Sequence, residues 1–154
     1  MSGHKGYAGE IGNIIVRDNG EKINALNIGA VENLASGTAL IKAATKEYKE
    51  DITSAKIIFD RYLEKDPIAI KLIDQFTTDL ARLYSSIAHV VDPSIFIIGG
   101  GISKSFDVFK DLLIEKYRNL VHEGMRHTEF IVAKLSEPGV VGAAMLPKSM
   151  AVKE

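Results

Sequence analysis

Cysteine is absent from all 154 residues. Disulfides, thiol nucleophiles, iron–sulfur clusters and cysteine-based zinc sites are excluded with it. An excess of one charge sign is missing too. Lys and Arg number 19 against 20 Asp and Glu, a net charge of −1 with His neutral. A nucleic-acid surface needs clustered Lys and Arg to displace counterions, so these residues are not expected to form one. No apolar run approaches the roughly 20 residues that span a bilayer, so no membrane association is expected. Met1 to Glu10 lacks the apolar core of a secretory signal. With the missing cysteine, that points to the cytoplasm. Repeats, low-complexity tracts and linkers are also lacking. What remains is ordinary for a folded domain, 46% hydrophobic and 25% charged residues, which argues against disorder and coiled coil.

The local patterns predict an α/β chain with an N-terminal hairpin. Ile11 to Arg17 reads as a strand, and Lys22 to Ile28 as a weaker one. Asp18-Asn19-Gly20 between them is a tight-turn signal. A short helical piece is expected over Val31 to Ala35. Ser36 is placed to cap a helix from Thr38 to Tyr48, and Thr53 one from Ser54 to Glu64. Asp66-Pro67 opens the longest helix, with a capping carboxylate followed by proline at the first helical position. Its apolar residues Ile70, Ile73, Phe76, Leu80, Leu83, Ile87 and Val90 recur every three or four positions, the spacing of a buried helical stripe. Asp92-Pro93 ends it.

Ser94 to Ile98 then reads as a buried, fully apolar strand ending in Gly99-Gly100-Gly101. A helix carrying Phe106, Phe109, Leu113 and Tyr117 follows, started by Ser103 or Ser105 and running to Val121. Phe130 to Leu135 is the next strand, and this order implies a parallel crossover. Beyond Pro138-Gly139, Val140 to Met150 reads as a small-residue helix.

Two stretches have the composition of a ligand site. In Ile97-Ile98-Gly99-Gly100-Gly101-Ile102-Ser103, a strand runs through three glycines into a helix start. Glycines there let backbone approach a ligand closely, and a helix N-terminus favours anions. The same residues also suit a strand–helix turn with no ligand. The pattern is neither a Walker loop nor a dinucleotide fingerprint. In Gly9-Glu10-Ile11-Gly12-Asn13, glycines flank a carboxylate, and Glu32 follows a further glycine, Gly29. Two carboxylates beside a cleft accept hydrogen bonds from sugar hydroxyls; two solvated carboxylates would read the same way. His89 reads as a helix-flank residue. His122 and His127 lack the further ligands that a metal needs. Lys42, Lys46 and Lys49 read as a solvated helix face paired with Glu47 and Glu50.

In order and spacing these stretches resemble the C-terminal half of the ROK family of sugar kinases and sugar-responsive repressors. Gly9-Glu10-Ile11-Gly12-Asn13 resembles its Glu-x-Gly-His sugar motif. Gly29 to Gly37 resembles the end of its Cys-x-Cys-Gly-x-x-Gly-Cys-x-Glu motif and the Ala-Ser-Gly after it. Asp92-Pro93 to Ser103, with Gly142-Ala143-Ala144, resembles its adenosine-side glycine motif and closing helix. The resemblance implies the C-terminal lobe of an actin-like (ribonuclease H-like) ATPase fold. It implies a hexose or amino-sugar ligand on Glu10, Asn13 and Glu32, and ATP against Gly99, Gly100 and Gly101, with Mg in the complete protein.

The departures from the family pattern carry as much information. The sugar-motif histidine is Asn13, and the three zinc cysteines fall on Ile23, Ala25 and Ala30. No zinc is therefore expected. The family's catalytic aspartate and phosphate loops lie upstream of its sugar motif, so the resemblance implies an N-terminal lobe beyond residues 1–154. No catalytic residue is assigned within this lobe, and by itself it is expected not to turn over. Kinase lobe, effector and dimerisation lobe of a repressor, and stand-alone sugar-binding module are the three readings. A homodimer is expected, and nucleic acid is expected only through a further N-terminal domain.

Overall fold

A computed structural model of the chain describes residues 3–134. Five helices and a small sheet build it: α1 (Glu32–Ala35), α2 (Gly37–Tyr48), α3 (Ala55–Leu63), α4 (Pro67–Val91), β1 (Ile95–Ile98), α5 (Phe106–Leu120) and β2 (Glu129–Val132). The sequence expected at Pro138-Gly139, at Val140 to Met150 and at the end of the second strand (Leu135) lies outside the described residues.

The helices start where their capping chemistry predicts. Ser36 Oγ accepts a hydrogen bond from Ala39 N at 3.1 Å and opens α2. The Asp66 carboxylate accepts from Ile68 N and Ala69 N at 2.8 and 2.9 Å, with Pro67 behind it. That satisfies two of the orphan donors of a helix start. The cap of α3 is Ser54 rather than Thr53, and its side chain makes no capping bond.

α4 is the central beam, with α2, α3 and α5 packed along it. Ile73, Phe76, Leu80 and Leu83 are buried as expected, but Ile70 and Val90 are 43% and 82% exposed. Helical geometry explains the difference. At 3.6 residues per turn, the 20 positions from Ile70 to Val90 leave the two ends about 160° apart around the axis. A stripe with so short a mean step winds off the core face. Phe59, Phe76, Phe106 and Phe109 join α3, α4 and α5, with Phe59 stacked on Phe109 at 5.3 Å.

β1 and β2 pair in parallel, Ile95 opposite Glu129 and Ile98 opposite Val132, with α5 as the crossover. β1 is not buried throughout. Phe96 and Ile98 point into the core, whereas Ile97 is 64% exposed, because successive strand residues face opposite sides. Gly101–Ser105 forms a 3₁₀ turn before α5 begins at Phe106.

The N-terminal hairpin is not formed. Ile11–Asn13 winds into a 3₁₀ turn, and Lys22 to Ile28 makes turns rather than a strand. Residues 14–16 instead run antiparallel to residues 29–31, through Val16 N to Gly29 O and Val31 N to Ile14 O, both 2.9 Å. Asn19 lacks the positive φ that a two-residue turn of this kind demands. The chain after Val16 is drawn away to α4, so its partner arrives only after a long loop.

Candidate functional site

Pairing of residues 14–16 with 29–31 decides where the carboxylates go. It needs Gly29, whose φ is +75° and whose place a Cβ could take only 1.7 Å from Arg17 O. No side chain fits there. Directly after this crossing, α1 begins with Glu32. Its carboxylate lies against the Gly12 backbone, where a Cβ would stand 3.1 Å from Oε2. Glu10 sits just before, at the start of the 3₁₀ turn, and Asn13 ends it. The sequence-predicted sugar residues are therefore brought to one edge. Glu10, Asn13 and Glu32 are all exposed there, which leaves both carboxylates open to hydroxyl donors. Asn13 Oδ1 has a partner already, accepting from Asn27 N at 2.7 Å.

A buried charge fastens this edge to α4. Asp79 is fully buried, and its carboxylate accepts from Arg17 Nε at 2.9 and 3.0 Å and also from Arg17 Nη2. Gln75 Nε2 adds a bond of 3.3 Å, and Arg82 Nη1 donates to Val16 O at 3.0 Å. A bidentate guanidinium offsets the desolvation that a lone carboxylate would suffer. Sequence reasoning passed over this pair. Its signal was Asp79 itself, three positions after Phe76 and four before Leu83: a lone acid within an apolar stripe.

Beside this carboxylate edge, Ser36 hands the chain from α1 to α2, and Gly37 enters a second feature. A cavity of about 690 Å³ is lined by Gly37, Thr38, Ser54, Lys56, Gly101 and Lys104 among others. Of the three predicted glycines, Gly101 lines it. Gly100 holds a φ of +76° in open space, and a Cβ on Gly99 would only touch Ala133, at 4.0 Å. The N-termini of α2 and α3 and the turn after β1 converge on this cavity. Two helix N-termini and two lysines there suit a ligand with anionic groups. Thr38, Ser54, Lys56 and Lys104 were not legible beforehand, because they come from three separated segments.

The remaining candidates resolve simply. His89 Nδ1 lies 2.7 Å from Ser85 O, and its ring meets that of His122 at 5.4 Å. Among the described residues, no three His, Cys, Asp or Glu side chains gather for a metal. The positions matching the family's zinc ligands carry an amide at Asn13 and alkyl groups at Ile23, Ala25 and Ala30. That donor set does not fit zinc. Glu47 on α2 and Glu50 just beyond it pair with other elements rather than with the α2 lysines: Glu47 with Lys71 at 3.7 Å and Glu50 with Arg61. Lys42 reaches Glu21 at 3.0 Å, and that bond holds the Glu21 carboxyl below its usual range.

Comparison with known proteins agrees with this geometry. The family model described as ROK family matches residues 1–150. A glucokinase from Thermotoga maritima is 29% identical over 96% of this chain and 51% of its own length. The chain thus spans about half the length of the relatives it matches. The structure of a ROK hexokinase from Thermus thermophilus superposes with a TM-score of 0.82 at 26% identity, covering 100% of this chain and 52% of that one. A ROK family glucokinase from Streptomyces griseus, solved in complex with glucose and AMPPNP, gives 0.81 at 27% identity over 95% of this chain and 53% of that one. These neighbours have the actin-like ATPase fold of sugar kinases. Among the described residues, no helix is long and apolar enough to cross a membrane.

Proposed function

Because the chain belongs to the ROK family, we propose that it is the C-terminal, sugar- and nucleotide-binding lobe of an ATP-dependent sugar kinase. The observation that carries this reading is the continuity of the two candidate sites. Glu32 stands on the sugar edge and Gly37 on the cavity, joined by α1 and its Ser36 junction. A phosphoryl donor and its acceptor must be held in fixed relation, since phosphoryl transfer rests on positioning and electrostatics.

In this reading Glu10 and Glu32 accept hydrogen bonds from hydroxyls of a hexose or amino sugar. Asn13 stands beside them with its Nδ2 amide. The glycine turn Gly99-Gly100-Gly101 and the cavity receive the adenosine side of ATP, with Lys56 and Lys104 near its anionic groups. Bound ATP with Mg would supply the γ-phosphoryl group. The groups that hold those phosphates and take the acceptor's proton would come from an N-terminal lobe, as would about half the length of the relatives. The same reading makes the protein a cytoplasmic homodimer; a strict monomer in sedimentation at micromolar concentration overturns that part.

A coupled ADP-release assay over a hexose panel is the direct test. The 154-residue chain alone is expected to show no turnover, and a chain extended by the N-terminal lobe is expected to turn over. Glu32→Gln in the extended chain is expected to weaken sugar affinity roughly tenfold or more, the scale of a hydrogen bond to a charged group. Turnover by the 154 residues alone, tracking their concentration, sinks the division of labour.

A further inference from the structure

We propose that Asn13 and Asn27 form a metal-free clasp that holds the 14–28 loop and sets Glu32 on the sugar edge. The placement of Glu32 rests on the sugar-site reading above; the clasp itself does not. The loop is anchored at its start by the pairing of residues 14–16 with 29–31 and by Arg17 on Asp79, but from Asp18 to Leu26 it has little else to hold it. Between Asn13 and Asn27 it contains turns but no strand, and much of it is exposed. Asn24 takes a φ of 53° within it. Beyond Arg17, its one ion pair to a helix, Lys42 to Glu21, is solvent-exposed on both sides and holds little by itself.

At the closing point the two asparagines meet twice. Asn13 Oδ1 accepts from Asn27 N at 2.7 Å, and Asn27 Nδ2 reaches back to Asn13 O at 3.5 Å. Immediately after, Ala30 N bonds Asn27 O at 3.2 Å and Val31 N bonds Ile14 O at 2.9 Å. The clasp thus fixes the entry to α1, and with it the carboxylate that rests on Gly12. Asn13 stands where the family pattern has a zinc-binding histidine, and the three thiolate positions are Ile23, Ala25 and Ala30. A zinc site needs deprotonated ligands. A pair of neutral amides needs neither metal nor a particular pH near neutrality, since asparagine does not titrate there. Asn13 is on this account a positioning residue: it shapes the sugar edge through Glu32, and its Oδ1 is engaged by the loop.

Amide hydrogen exchange on the full 154-residue chain, with and without EDTA, tests the clasp. In the wild type, Asn27, Ala30 and Val31 are expected to be protected equally in both conditions. Asn13→Ala is expected to raise exchange at Asn27 about tenfold, the scale of losing one hydrogen bond, and Asn13→Asp, which keeps the acceptor, to restore protection. Where Asn13→Ala fails to fold, Asn13→Gln moves the amide by a methylene and is expected to give the same loss. Unchanged exchange in these variants, or protection that EDTA removes from the wild type, overturns the clasp. A titration with a panel of hexoses reads the placement of Glu32. Asn13→Ala is expected to weaken binding about tenfold with recovery in Asn13→Asp. Binding that Asn13→Ala leaves unchanged overturns the positioning role. Protection as expected, with no hexose bound by any form, sinks the sugar-site reading instead and leaves the clasp standing.

Discussion

At the scale of single residues, the charge buried deepest among the described residues is Asp79. Its side chain is fully buried while Arg17 keeps a quarter of its surface in water. Removing one partner of such a pair leaves an uncompensated charge, at a cost of roughly 3–5 kcal/mol, whereas apolar replacement of both is often close to neutral. Arg17→Leu is therefore expected to destabilise the chain strongly in urea unfolding. Arg17→Leu with Asp79→Leu is expected to recover much of that loss. Equal losses in the single and double variants would show that the pair is not coupled. Tyr84 is a different case. It packs on Phe96 at 4.8 Å and Phe130 at 5.3 Å, and burial pushes its phenol up to about 12 from an ordinary 10.0. A raised value means that the folded chain keeps a proton which the unfolded chain gives up. Stability is then complete below about pH 10 and is lost as pH rises toward 12. Tyr84→Phe is expected to remove that part of the alkaline loss in urea titrations, and an unchanged alkaline limb speaks against it. Asp79 was legible as an acid in an apolar stripe, but Arg17 was not, since nothing in its neighbourhood names a partner 62 positions away.

Elements divided by how local their causes are. Helices α2 and α4 were readable because Ser36, Asp66 and Pro67 act within three residues of themselves. The hairpin was misread because strand partners are set by distant contacts, here the bond from Arg82 to Val16 O and the Arg17–Asp79 pair. Asp66 makes the capping argument testable. The Tyr48 hydroxyl donates to its Oδ1 at 2.7 Å, and this bond, followed by the Ala69 N–H, holds the carboxyl below its ordinary 3.8. A depressed value places the stabilisation above about pH 3.8, to be lost as pH falls through the lower folded value. Asp66→Asn keeps a capping oxygen but no charge. Wild type is expected to be the more stable in urea at pH 7, with the difference shrinking toward zero as the pH falls below 3.8 and through the lower folded value. A gap independent of pH would assign the effect to shape rather than to charge.

On the scale of the whole molecule, the packed helices present the Glu10–Glu32 edge, proposed to take sugar, and the cavity side by side. The order of the motifs was visible in the sequence, but the cavity was not. Gly37, Ser54 and Gly101 are far apart in the chain and meet only because α2, α3 and the turn after β1 converge. Such a site is expected to respond to ligand even without turnover, because binding to the folded form alone shifts the unfolding equilibrium. A ligand at 100 times its Kd adds about 2.7 kcal/mol. For a domain near 150 residues each kcal/mol moves Tm by about 2–4 °C, so a non-hydrolysable ATP analogue is expected to raise Tm by roughly 5–10 °C. Lys104→Glu, which reverses a charge on the cavity wall, is expected to reduce that rise. Glu32→Gln is expected to preserve it while reducing any rise with hexose, since Glu32 lies against Gly12 and outside the cavity lining. A nucleotide response that Glu32→Gln removes and Lys104→Glu leaves intact would reverse the assignment of the two sites. No response to nucleotide at saturating concentration would take the adenosine side away from this lobe.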